Sequence, residues 1–377
     1  MTRRPRLLAL FAATLAGTGC TSSDGGAGDR GGGDDGGDGG GGRGGDGDAG
    51  GVGGDDAGGG GTGTAPDRLV FSAYKDTSIN QNWNTNVIST MVPGSLTPLA
   101  TDLSASGGRA VSLAFATGAC GSENWGGVPG AAMAAANVPL LTGAGIDYIL
   151  STGGAAGSFT CTSDDDFAAF LDRWVSPNFI GVDFDIEAGQ SETDIADLVG
   201  RVEAAHAAHP GLRFSFTIAT LANTDGGESL NIKGVQTVQA LESAFSTLPD
   251  HVTVNLMTMD YGTAGPSVCA DSGGVCDMGQ SAIQAANNLH DSHGVPFANI
   301  ELTPMIGGND VQSEQFTLAD ADTVTAFAIS QELAGVHYWS YDRDVDCPPG
   351  PASPTCNSLG DAGPNGFLKR FQDAGLE

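Results

Sequence analysis

Positive charge is scarce in this 377-residue sequence: 15 Lys and Arg stand against 45 Asp and Glu, for a formal net charge of −30. A polyanion of this kind is repelled by phosphate backbones and by the negative face of a bilayer. That excludes nucleic acid as a partner and bare membrane as a docking surface. Long apolar runs are missing too. Beyond residue 20 no run of 18 apolar residues occurs, so nothing there is suited to span a bilayer as a helix. The cysteines lack the paired short spacings with nearby His that zinc sites use. No Ser-His-Asp spacing or nucleophile elbow is present. His206, His209, His290 and His293 fall on helical stretches with polar neighbours and read as solvated or packed. Neither a metal nor a cofactor is expected.

Glycine is in excess. Of 60 Gly, 24 lie between residues 24 and 64, beside nine Asp. The Gly-Gly-x-Gly-x-Asp calcium roll needs a large apolar residue in each repeat, and this tract offers only Val52. With so little to bury, it cannot offset its ordering entropy and reads as a disordered spacer. Ahead of it, Arg3, Arg4 and Arg6 precede an apolar core from Leu7 to Ala16, then Gly17-Thr18-Gly19-Cys20. Small residues before a Cys resemble a bacterial lipoprotein signal, in which that Cys is lipidated. Gly17 stands where such signals usually carry Leu, and plain secretion is the alternative. The expected organisation is a signal over 1–20, a Gly/Asp-rich linker over 21–66 and one domain over 67–377. Cys20 is the lipidation site, and the lipid is the only membrane contact. Export places the other six Cys in an oxidising compartment. Short separations favour Cys269–Cys276 and Cys347–Cys356, leaving Cys120 with Cys161.

From residue 67 onward, apolar segments alternate with helical ones and no second linker intervenes. Eight segments read as strands: Leu69–Tyr74, Ala110–Ala116, Tyr148–Gly153, Phe179–Ile186, Arg213–Ile218, Val252–Met257, Ile300–Met305 and Val336–Trp339. Between them, Ala131–Ala144, Asp164–Trp174, Glu192–His209, Val235–Phe245, Gly279–His293 and Leu318–Gln331 carry Ala and Leu at helical spacing. This alternation predicts a single (β/α)8 barrel. A doubly wound open sheet would want a Gly-rich phosphate loop after the first strand, and Phe71 to Ser78 contains no Gly. In a barrel, chemistry belongs at the C-terminal strand ends.

The fourth strand holds Asp183, Asp185 and Glu187 in alternation with Val182, Phe184 and Ile186. Period two puts the three carboxylates on one face and the apolar residues toward the helices. Such a row is costly in a barrel interior of branched apolar residues, which is the interior expected here. A solvated edge strand or a calcium or magnesium site are the alternatives, and an edge strand would not have so apolar an opposite face. Like charges this close cannot all ionise, so at least one carboxyl keeps its proton near neutral pH. Glu187, nearest the open end, suits a general acid. Asp185 is its inner partner, and Asp183 lies deepest and shapes the field.

Gly181-Val-Asp-Phe-Asp-Ile-Glu187 resembles the fourth-strand signature Asp-Gly-x-Asp-x-Asp-x-Glu of family 18 glycoside hydrolases, the chitinase-like family, with Ile180 in place of the first Asp. Ser151-Thr-Gly-Gly154 is similar to that family's Ser-x-Gly-Gly element, and Trp339 to its floor Trp. The resemblance implies retaining cleavage of β-1,4 links next to N-acetylglucosamine, with the substrate's acetamido group as nucleophile. Glu187 would act as acid and then base, and Asp185 would hold the acetamido N–H. The implied partner is chitin or another N-acetylglucosamine-containing glycan, handled by a monomer. An endo-β-N-acetylglucosaminidase acting on N-glycans shares this motif; a catalytically weak chitin-binding lectin is the other alternative, although inactive relatives usually lose the Glu that is present here as Glu187.

Supporting residues are read around that row. After the sixth strand, Met257-Thr-Met-Asp-Tyr261 departs from the family's Met-x-Tyr-Asp. Tyr261 is expected to bond the acetamido carbonyl, with Asp260 and Met257 lining the cleft; a packed loop aromatic is the other reading of Tyr261. Asp310, behind a Gly pair on the seventh strand, suits a sugar hydroxyl or a plain turn. Trp339 suits stacking on a sugar face, and Tyr74 is expected to touch the sugar. For Trp83 and Trp125, cleft and ordinary packing weigh equally, while Trp174 reads as core.

Overall fold

The computed structural model describes residues 69–187 and 189–377. The signal, Cys20 and the linker lie outside the described residues. Eight parallel strands close into a barrel: β1 Val70–Asp76, β2 Ala110–Ala116, β3 Asp147–Gly153, β4 Phe179–Ile186, β5 Arg213–Ala219, β6 Val252–Thr258, β7 Ile300–Pro304 and β8 Gly335–Trp339. Each strand pairs with its sequence neighbours, and β8 closes on β1 through pairs from Val70 with Gly335 to Tyr74 with Trp339. Eight helices follow the strands in turn: α1 Leu99–Ser106, α2 Gly130–Ala144, α3 Asp164–Asp172, α4 Glu192–Ala208, α5 Ile232–Ala244, α6 Met278–His293, α7 Leu318–Gln331 and α8 Gly366–Asp373. No helix of the described residues is long and apolar enough to cross a membrane.

Local chemistry sets the helix ends. The Ser191 and Thr317 side chains each accept from the backbone three residues on, and Asp194 and Asp320 return the bond, so α4 and α7 start on capping boxes. Left-handed Gly107, Gly145 and Gly294 end α1, α2 and α6.

The apolar core is a shell between barrel and helices. Phe184 of β4 packs on Phe216 of β5 with ring centroids 5.0 Å apart, and Phe167 of α3 lies 5.9 Å from Phe184. Val182, Phe184 and Ile186 are fully buried there. Rings this close contribute about 0.5–1.5 kcal/mol per pair beyond their area.

The inside of the barrel corrects the expectation of branched apolar residues. Inward positions carry Ser72, Tyr74, Ser112, Ser151, Ser215, Thr217, Thr253, Asn255, Glu301, Thr303 and His337, all buried. In this polar interior a buried carboxylate can find donors.

Three disulfides, Cys120–Cys161, Cys269–Cys276 and Cys347–Cys356, all lie on βα connections at the C-terminal face of the barrel. The first joins the β2–α2 connection to the β3–α3 connection, restraining loops that border β4.

Candidate active site

Asp183 anchors the row from within the barrel. It is 1% exposed and accepts four hydroxyl hydrogen bonds. Tyr74 at 2.9 Å and Ser151 at 2.6 Å donate to Oδ2, while Ser215 at 2.9 Å and Thr217 at 2.6 Å donate to Oδ1. Register explains the set: Asp183 pairs with Ser151 on one side and with Ser215 on the other. The direction of two of these bonds is fixed from behind. The Asn255 amide donates to the Tyr74 hydroxyl at 2.9 Å and to the Thr217 hydroxyl at 2.8 Å, so both hydroxyls spend their protons on Asp183. The Asn255 carbonyl in turn accepts from Thr303 at 2.8 Å. Burial pushes the Asp183 carboxyl up, and the four hydroxyls pull it only partly back, so it stays above the usual range. A shell made only of donors fits the carboxylate form.

Asp185 sits one step nearer the open end and is 4% exposed. Burial, then the charges of Glu187 and Asp183, push its carboxyl well above the usual range, so it keeps its proton. Its Oδ1 is buried without a hydrogen-bond partner. Gly153 explains how β3 fits here. It pairs with Asp185 at φ +90°, and a Cβ at Gly153 would stand 2.2 Å from the Asp185 carbonyl oxygen. In Ser151-Thr-Gly-Gly154, the Ser supplies a bond to the row and the first Gly permits close backbone approach.

Glu187 lies one residue past the end of β4 and is half-buried. Burial pushes its carboxyl up, and the Ala155 N–H pulls it partly back. Its loop is braced by Gln190, whose amide donates to the Asp185 carbonyl at 3.3 Å, and by Lys233, which donates to the Gln190 carbonyl at 2.5 Å. All three carboxyls of the row thus hold protons more tightly than in water, and they differ in partners: four donors around Asp183, an unpartnered oxygen on Asp185 and one backbone N–H on Glu187.

The remaining expected residues are scattered. Trp339, at the end of β8, is half-exposed and stacks on Phe115 with centroids 5.7 Å apart and planes 21° apart. Met257 is also half-exposed. Tyr74 does not face outward; it is buried with its hydroxyl on Asp183 and supports the row from below. Tyr261 is 1% exposed and packs into the apolar core, where its hydroxyl has no partner, which corrects its assignment to the acetamido carbonyl. Asp260 is half-buried, and its Oδ1 accepts from the Val311 N–H at 3.1 Å. Asp310 is exposed beside buried Asn309. Trp125 is fully buried 5.1 Å from Trp174, and Trp83 is 56% exposed.

Sequence reasoning missed Phe115, the hydroxyl shell and a second polar layer nearer the N-terminal end of the barrel. In that layer, Glu301 accepts from Arg213 and Thr253 and meets His337 Nε2 at 2.9 Å. His337 Nδ1 lies 2.7 Å from Ser72 Oγ, which lies 2.8 Å from Ser112 Oγ. Burial pushes Glu301 up, but Arg213 and His337 outweigh it and hold the carboxyl at about 2. Polar residues among apolar ones on seven strands besides β4 were the available signal.

No protein-family model matches the sequence. Among solved structures, the catalytic domain of a hyperthermophilic chitinase from Pyrococcus furiosus superposes with a TM-score of 0.62 at 24% identity, covering 84% of this chain and 99% of that one. This chain shares the (β/α)8 fold of that chitinase catalytic domain. A related Pyrococcus furiosus structure, of active-domain-2 catalytic-site mutants of the thermostable chitinase with chito-oligosaccharides, gives the same TM-score and identity over 84% of this chain and 98% of that one. In sequence, the chain is 31% identical over 229 residues to a probable bifunctional chitinase/lysozyme of Escherichia coli (strain K12), covering 55% of this chain. It is 31% identical over 240 residues to endochitinase 11 of Metarhizium anisopliae, covering 58% of this chain. It spans 24% and 43% of the lengths of these curated relatives.

Proposed function

We propose that this chitinase-type barrel hydrolyses β-1,4-linked N-acetylglucosamine chains, chitin or chitooligosaccharides, with retention. The observation that carries the reading is the carboxylate row: Asp183 ringed by four donors, proton-holding Asp185 with an unpartnered Oδ1, and Glu187 beside the opening. Glu187 gives its proton to the glycosidic oxygen as the bond to the anomeric carbon breaks. The acetamido carbonyl oxygen of the same sugar forms the new bond, giving an oxazolinium ion. Asp185 Oδ1 accepts the acetamido N–H and steadies the charge that develops there. Glu187, now ionised, takes a proton from the water that opens the ring. Trp339 on Phe115 gives the sugar an apolar floor. The protein acts outside the cytoplasm, held by a lipid on Cys20 and spaced from the surface by residues 21–66; the three disulfides support export.

The test compares the full chain with Glu187→Gln on chitin oligomers and on a high-mannose glycoprotein. Wild type is expected to release N,N′-diacetylchitobiose and the variant to release none. Equal traces from both proteins on both substrates would end the hydrolase reading. Release of intact glycans would move the substrate to N-glycans, and binding without cleavage would make the protein a lectin.

A further inference from the structure

One buried carboxyl at the C-terminal end of the barrel takes no part in the steps above. Glu314, on the β7–α7 connection, is 1% exposed. Its Oε2 accepts the Tyr261 N–H at 3.0 Å and its Oε1 accepts the Gly262 N–H at 2.8 Å. These two amides belong to the turn that follows β6. Asp260 stands in that turn at φ +51° and Gly262 at φ +112°, so the backbone is left-handed on both sides of Tyr261. For Asp260, a non-Gly residue, that conformation needs outside support.

The support is reciprocal. The Asp260 N–H donates to Asn309 Oδ1 at 3.3 Å, and the Val311 N–H donates to Asp260 Oδ1 at 3.1 Å. The Asn309 N–H donates to the Glu314 carbonyl at 3.0 Å, and its amide nitrogen to the Met305 and Gly307 carbonyls at 2.9 and 3.1 Å. Arg343, from the β8–α8 connection, donates to the Ile306 and Gly308 carbonyls at 2.9 and 2.5 Å. Side chain to backbone bonds thus zip the two connections together, with both Glu314 oxygens at the centre.

We propose that Glu314 is a positioning residue: as a carboxylate it clamps the Asp260–Gly262 turn, holds Asp260, the expected cleft residue, in place, and so tunes glycan affinity with pH. The proposal rests on the hydrolase reading for its ligand but not for its geometry. The ionisable groups around Glu314 are Asp260 and the Tyr261 phenol on the β6–α6 connection, Asp310 on its own connection and Arg343 on the β8–α8 connection. Burial is the main force that raises the Glu314 carboxyl, to about 7; the Gly262 and Tyr261 N–H groups, with the neighbouring Asp260 N–H, oppose it and the Asp260 charge adds to it. A proton on Glu314 removes its charge and turns one oxygen into a hydroxyl, a much poorer acceptor for an N–H. The clamp is therefore strongest above about 7 and weakens at one oxygen as pH falls below it.

Glu314→Gln fixes the half-clamped state, because its amide nitrogen replaces one acceptor. Losing one hydrogen bond to a charged acceptor is worth about a tenfold change in an equilibrium constant. KM for chitooligosaccharide should rise about tenfold at pH 8, with kcat nearly unchanged, and the wild-type rise in KM between pH 8 and 6 should vanish in the variant. Adding Asp260→Ala to Glu314→Gln should raise KM less than Asp260→Ala does alone, since both act through one group. An unchanged KM at pH 8, or additive effects, would overturn the proposal. Hydrogen exchange provides a readout independent of catalysis. The Tyr261 and Gly262 amides should exchange about tenfold faster in Glu314→Gln at pH 8. If wild type fails to cleave chitooligosaccharides, the function is wrong while exchange still decides the clamp; unchanged exchange in a folded variant sinks it.

Discussion

Glu301→Gln tests the polar layer nearer the N-terminal end of the barrel, and its cost can be worked from the structure. Glu301 is fully buried, and Arg213 and His337 hold its carboxyl at about 2 against an ordinary 4.5. At about 1.36 kcal/mol per pKa unit, this difference contributes roughly 3 kcal/mol of stability at neutral pH. The variant leaves buried Arg213 with the Ala334 carbonyl, 3.4 Å from Nη1, in place of its carboxylate. Stripping one partner from a buried pair costs about 3–5 kcal/mol, which agrees. For a domain of this size the loss corresponds to roughly 5–10 °C in Tm. A carboxyl held below its unfolded pKa contributes stability that is complete above 4.5 and lost as pH falls through about 2. The assay is thermal unfolding of wild type and Glu301→Gln, followed by circular dichroism from pH 7 to pH 2. The gap should be full at pH 7 and close steadily below pH 4.5. A gap under about 1 kcal/mol at pH 7, or one that persists unchanged to pH 2, would refute the reasoning.

Tyr74→Phe removes one of the four donors to Asp183 and the oxygen that Asn255 bonds. It should cost about 1–2 kcal/mol of stability and lower kcat about tenfold, measured by unfolding and initial rates. Gly153→Ala should abolish activity, because its Cβ would meet the Asp185 carbonyl at 2.2 Å, whereas Gly143→Ala on an open face of α2 should leave activity unchanged. General acid catalysis needs Glu187 protonated, and burial raises its carboxyl. The rate should therefore fall as pH rises through that raised value, and a kcat profile breaking at or below an ordinary glutamate pKa would contradict the assignment.

All eight barrel strands could be read from the sequence because each is a short run, buried on both faces, between two turn-rich connections. The carboxylate row was legible because Asp183, Asp185 and Glu187 alternate with Val182, Phe184 and Ile186. Two helices were not. α1 and α8 span eight residues each, too short for a helical period to stand out. The polar interior escaped because a branched apolar interior was assumed, although Ser215 and Thr217 alternate with Phe214, Phe216 and Ile218 in plain view. Tyr261 was misplaced for a conformational reason. Counting by twos from Met257 puts Tyr261 on the inward face, but the left-handed Asp260 breaks the count and swings the ring into the core. A positive φ at an Asp is not visible in the order of residues.

The two polar layers have one physical logic. An aspartate deep in a Val- and Ile-filled barrel would neutralise itself, because burial favours the protonated form. If Asp183 were neutral, its charge would no longer help to hold the proton on Asp185, to which it now contributes. Favouring the ionised form of Asp183 takes donors from β1, β3 and β5, and Asn255 of β6 must turn two of them the right way. Those hydroxyls displace apolar side chains from the interior, so apolar burial has to come from elsewhere. It comes from the shell of Phe167, Phe184, Phe214 and Phe216 between strands and helices. Burial on one face of β4 and β5 thus supports the charge on the other. A substitution that thins that shell, such as Phe216→Ala, should destabilise the barrel by about 3–5 kcal/mol while leaving the Asp183 donors in place. Its kcat below the melting range should stay close to wild type. A large loss of kcat in the folded variant would mean that the shell also sets the geometry of the row.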